Sequence, residues 1–113
     1  MNTLDWKDYT NAELNQAELA RRSGNEGRAR VCARRAAGYI IDEYYRRNGT
    51  VPLGEGAYSH IQHLATQPGL SDNIREILER LMLRVTLEHR LPVEADLISD
   101  VRILAKDLIS EEL

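Results

Sequence analysis

The chain has 113 residues, with 18 acidic against 15 basic side chains and a formal net charge of −3. That length suits one domain spanning residues 1–113, which would bury roughly two-thirds of its unfolded surface. The charge balance excludes a uniformly basic coat for nucleic acid, and no apolar run approaches the roughly 18 residues needed to span a membrane.

The acidic, polar N-terminus does not read as a signal peptide, and a single cysteine, Cys32, allows no internal disulfide. Both features lead to the expectation of a cytoplasmic protein without contact to the membrane. Three prolines, no phenylalanine and abundant alanine, leucine, arginine and glutamate favour an all-α protein. Charge is unevenly placed along the chain. Residues 1–20 carry one lysine against four acids, whereas residues 21–47 carry eight arginines against Glu26, Asp42 and Glu43. The last 21 residues, 93–113, are again strongly acidic. A local arginine cluster of this kind suits a phosphate or an acidic partner segment.

The first predicted helix runs from about residue 4 to 22, with a capping box at Thr10 and Glu13 as an alternative start. Its apolar stripe is blurred. The second, about 26–47, has Asn25 as N-cap and Asn48-Gly49 as its stop. At about 100° per residue it gathers Cys32, Ala33, Ala36, Tyr39, Ile40 and Tyr44 on one face. Arg28 and Arg35 flank this stripe on one side, Arg30 and Arg34 on the other. These four are the candidate surface for RNA or a nucleotide, against the plainer reading of solvated arginines whose stems cover the core edge. Glu43 falls inside the stripe and requires a cationic partner, most simply an arginine.

The loop "NGTVPLGEGAYS", residues 48–59, contains G-x-G but lacks the strand and lysine of a phosphate-cradling loop. A short third helix follows at about 57–66. His60 and His63 lie three apart on it, but no further ligands complete a metal set, so neither metal nor cofactor is expected. Ser71 caps a fourth helix, about 72–89, with Ile74, Ile77, Leu78, Leu81 and Val85 inward. Pro92 opens a fifth, about 93–111, with Leu97, Val101, Leu104 and Leu108 as its seam. Together these elements predict an up-and-down helical bundle of four to five helices.

Arg84 and His89 close the fourth helix. Arginine grips phosphate through paired hydrogen bonds, and histidine moves protons near neutral pH. On a regular helix, five residues separate them by about 140° around the axis and about 7.5 Å along it. A shared target would then need either a helix that frays toward Pro92 and swings His89 round, or a second chain, for which Leu83 and Leu87 on the outer face offer a dimer interface.

Several segments resemble the HEPN superfamily of small helical bundles. "ARRSGNEGRARVCARRAAGYIIDEYY" resembles its first helix turn and long alanine-rich second helix. "RVTLEH" fits its R-x(4–6)-H motif, and "LPVEADLISDVRILAKDLI" resembles its final helix. The resemblance implies a homodimer in which paired motifs face one another, and in active members a metal-independent ribonuclease, sometimes a toxin. Carried over, Arg84 would contact the phosphate and His89 would handle the proton of the attacking or leaving oxygen. Val85 stands where many active members have a polar residue, and Leu91 where one branch has tyrosine. The alternative from the same resemblance is a non-catalytic dimeric bundle that binds a nucleotide or a partner such as a small nucleotidyltransferase.

Overall fold

The computed structural model describes residues 5–51, 54–83 and 96–113. It contains five helices in chain order: α1 (Trp6–Arg22), α2 (Glu26–Arg47), α3 (Gly56–Ala65), α4 (Asp72–Met82) and α5 (Leu97–Ile109). The described residues are all-α, with no strand among them. None of these helices is long and apolar enough to cross a membrane.

Helix α1 starts at a reciprocal capping box, in which Asp5 accepts from the Asp8 backbone and Asp8 accepts from the Asp5 backbone. It therefore begins well before the Thr10–Glu13 box that the sequence offered as an alternative. Thr10 instead lies inside the helix, where its hydroxyl donates to the Trp6 carbonyl at 2.6 Å. That back-bond satisfies a polar group the bundle buries completely.

Helix α2 is the central element and packs against all four others. Its buried set is wider than one amphipathic stripe: Ala29, Cys32, Ala33, Ala36, Ala37, Gly38, Ile40 and Ile41 are all inside. Small side chains let neighbours approach closely from several directions. At Gly38 an added Cβ would stand 2.9 Å from the Cβ of Ala57 on α3, so α3 rests directly on the α2 backbone. Tyr39, expected in the buried stripe, remains 36% exposed.

Helix α4 is capped by Ser71, whose hydroxyl accepts from the Ile74 backbone, and buries Ile74, Ile77, Leu78 and Leu81. It ends at Met82, and Leu83 is extended at φ −62°, ψ 137°. The expected continuation to residue 89 is thereby corrected. Arg34 of α2 explains the stop: its Nε donates to the Leu81 carbonyl at 2.7 Å and its Nη2 to the Leu83 carbonyl at 2.5 Å. A cation thus caps the negative end of α4 and turns Leu83 out of helical geometry.

Helix α5 starts at Leu97, later than the sequence reading placed it, because Asp96 is the N-cap and accepts from the Ser99 backbone. Arg80 and Asp100 join α4 to α5 with two hydrogen bonds of 2.8 and 3.0 Å. Leu14, Ile40, Ile41, Ile61, Leu64, Ile77, Leu78, Leu81, Val101 and Leu104 are fully enclosed and form one core drawn from every helix.

Candidate functional site

The four arginines proposed as one binding surface take different positions. Arg30 is turned inward and only 7% exposed, with Nε and Nη1 buried and without hydrogen-bond partners. Arg34, one turn further on, caps α4 and lies 5.7 Å from the Tyr58 ring centroid. Arg28 and Arg35 are exposed and lie two turns apart on the outer side of α2. The separation follows from the helix: residues 30 and 34 share one side, 28 and 35 another.

Arg84, His89 and Leu87 lie outside the described residues. Leu83 is described and is partly buried. The relative placement of Arg84 and His89 therefore also lies outside the described residues.

Arg35 opens onto a cleft between α2 and α3, of about 390 Å³, lined also by Gly38, Tyr39, Asp42, Gly56, Ala57 and His60. The tight Gly38–Ala57 crossing forms its floor. Spacing of four and then three residues places Arg35, Tyr39 and Asp42 along one line of α2. His60 faces them from α3, with Nδ1 3.3 Å from Asp42 Oδ1 and Nε2 3.3 Å from the Gly54 carbonyl. Asp42 therefore orients the imidazole. Gly54 reaches this position at φ +84°, and an added Cβ there would lie 2.6 Å from that of Ser59. Glycine is required at that turn on both counts.

On the rim, Tyr39 stacks on Tyr9 of α1, with ring centroids 5.2 Å apart and planes inclined by 21°. Tyr9 is 43% exposed, so the pair presents an accessible aromatic surface beside a guanidinium. The cleft thus combines a cation, an oriented imidazole, a carboxylate and a stacking platform. The sequence reading found Arg35 but placed Tyr39 on the inward stripe and weighed His60 only as a metal ligand. The spacing of Arg35, Tyr39 and Asp42 was a legible signal for one face; the approach of His60 was not, because it depends on how α3 crosses α2.

Elsewhere, Cys32 is buried. Burial pushes its thiol pKa up, Glu13 raises it further, and Arg28 and Arg35 oppose the change. A protonated, enclosed thiol is no nucleophile. Glu43 has the arginine partners its burial demanded: Arg46 binds it through two hydrogen bonds and Arg47 through one. His63 stacks on Tyr45 at 5.2 Å. Among the described residues no group of three or more histidine, cysteine or acidic side chains is arranged to hold a metal ion.

Comparison of the chain with protein-family models, with curated proteins and with solved structures returned no match.

Proposed function

We propose that this protein is a HEPN-like helical bundle, working as a homodimer, that binds a nucleoside phosphate in the α2–α3 cleft. The observation that carries this reading is the meeting of Arg35 and His60 in one cleft with the Tyr9–Tyr39 stack at its rim. Arg35 supplies a paired-donor contact for phosphate oxygens. A base stacked on the tyrosine face contributes about 1–3 kcal/mol. The cleft volume falls within the range of small-ligand sites. The bound group is a free nucleotide or one unit of a single-stranded RNA, which share this chemistry.

Calorimetric titration with ADP, inorganic phosphate and a short oligouridylate tests the reading and separates these sources. Arg35→Gln should abolish binding of all three. Tyr39→Ala should weaken ADP and the oligonucleotide by roughly 5–150-fold, the equivalent of one lost stacking contact, and leave inorganic phosphate unaffected. No binding of any of the three to the parent chain, or equal binding by Arg35→Gln, refutes it.

Cleavage of bound RNA by Arg84 and His89 is the further step that the resemblance to HEPN proteins implies. It rests on the sequence motif alone. Loss of oligonucleotide cleavage in His89→Ala, with folding and binding retained, is the result expected of a catalytic histidine.

A further inference from the structure

The cleft between α2 and α3 has a direction. Arg35, Tyr39 and Asp42 all line it, and on a regular helix Arg35 and Asp42 point within about 20° of one another. They stand about 10.5 Å apart along the axis, with Tyr39 between them. From one end to the other this wall therefore reads cation, aromatic ring, carboxylate. Tyr9 backs the ring of Tyr39 at 5.2 Å, while Tyr39 itself lines the cleft.

Asp42 is the part of this wall that a phosphate cannot use. An ionised carboxylate only accepts hydrogen bonds, so it repels phosphate oxygens and requires N–H or O–H donors. His60 holds one of its oxygens, with Nδ1 3.3 Å from Oδ1. No other described residue bonds to the carboxylate, and the side chain is 52% exposed. A nucleoside phosphate anchored at Arg35, with its base on Tyr39, extends the pairing edge of that base toward Asp42. The four common bases differ there. Guanine alone presents two adjacent donors, N1–H and the 2-amino group. Adenine and cytosine each set one amino donor beside a ring-nitrogen lone pair, and uracil sets its one N–H between two carbonyls. Against a carboxylate, each of those three brings acceptor against acceptor.

We propose that Asp42 reads the base, and that the cleft takes a guanine nucleotide in preference to the other three. Arg35 holds the phosphate, Tyr39 carries the ring, and the Asp42 carboxylate accepts from N1–H and the 2-amino group. This rests on the nucleoside phosphate site proposed above. It also accounts for an anionic side chain in a cleft for an anionic ligand. The two negative groups occupy opposite ends, with the nucleoside between them.

Calorimetric titration of the whole chain with GDP, ADP, CDP, UDP and inosine diphosphate tests the choice of base. GDP should bind more tightly than ADP, CDP or UDP by roughly 5–150-fold, the discrimination of one good paired contact. Inosine diphosphate keeps N1–H and lacks the 2-amino group, so it should fall between GDP and ADP. This series on the parent chain decides without any variant. Asp42→Asn should then reverse the preference, binding xanthosine diphosphate more tightly than GDP. Its amide donates to the 2-oxygen of xanthine, and its carbonyl still accepts from N1–H. Thermal melts followed by circular dichroism establish that the variant is folded. A merely structural role for Asp42 would weaken every nucleotide alike and leave their order unchanged. Equal affinity of the parent chain for the four common diphosphates, all lost in Arg35→Gln, overturns the reading of the base and leaves the phosphate site standing. A folded Asp42→Asn chain that keeps GDP ahead of xanthosine diphosphate overturns it as well. Absence of binding by every nucleotide and by inorganic phosphate refutes the site itself, and the choice of base with it.

Discussion

Two buried charges show how differently single residues meet the same physical demand. Glu43 is 5% exposed, and burial alone would push its carboxyl pKa up. The hydrogen bonds from Arg47 and Arg46 outweigh that and hold it below the ordinary value. Glu43→Gln keeps the shape and removes the charge-assisted bonds, so urea unfolding should show a loss of roughly 1.5–3 kcal/mol. Arg30 is also enclosed, yet Nε and Nη1 have no acceptor. A buried cation with unpaired donors opposes folding. Arg30→Met preserves the aliphatic stem and removes that cost, so it should raise stability by about 1 kcal/mol or more in the same assay. A large loss would instead show that the guanidinium has an acceptor in solution.

Among the elements, the α2–α3 crossing decides the shape of the cleft. Gly38 is an unfavourable residue for a helix interior, and alanine there would ordinarily gain up to about 1 kcal/mol. Here the new Cβ would press on Ala57 at 2.9 Å from Cβ and 3.2 Å from Cα. Because Ala57 has no flexible side chain to move, α3 itself must shift. Gly38→Ala should therefore destabilise the fold by roughly 1–3 kcal/mol against its helix propensity. The displaced α3 should also weaken ADP binding by separating His60 from Arg35. Chemical denaturation and calorimetry on one sample check both outcomes. Arg34 is the corresponding control point for α4, since its two bonds to Leu81 and Leu83 set where that helix ends.

At the scale of the molecule, ion pairs tie together segments distant in sequence. Lys7 and Arg47 both hold Glu111 beyond the end of α5, and both cations lie 5.8 Å from the Trp6 ring centroid. Arg21 reaches Asp96 at 3.0 Å. Hydrogen bonds from Lys7 and Arg47 lower the pKa of Glu111. Burial raises that of Asp96, but bonds from Ser99 and Arg21 bring it below its ordinary value. Together with Glu43, three carboxyls are more acidic in the folded chain than in the unfolded one. Such groups stabilise the fold above their unfolded pKa values, and the contribution is lost as pH falls through the folded values. The midpoint of thermal unfolding should accordingly be flat near neutrality and decline from about pH 4 downward. Glu43→Gln should show a smaller decline over that range, since one of the three linked protons is gone.

Local chemistry along the chain determined the all-α character, the limits of α2, the Ser71 cap, the burial of Cys32 and the need of Glu43 for arginine. Each depends on residues within a few turns of one another, where periodicity and capping act. The end of α4 was misjudged for the opposite reason. Leu83 leaves the helix because Arg34, 49 residues away, captures its carbonyl, and no signal near Leu83 announces that. The arginine cluster and its division into Arg28 with Arg35 and Arg30 with Arg34 were legible from helical spacing, but which pair turns inward was not. Which of the four arginines face solvent depends on how many helices surround α2, and that is settled only by packing. The cleft is a tertiary product for the same reason. Arg35, Tyr39 and Asp42 share a line by helical arithmetic, but His60 and Tyr9 join them only because α3 and α1 settle on either side of a helix made of small residues.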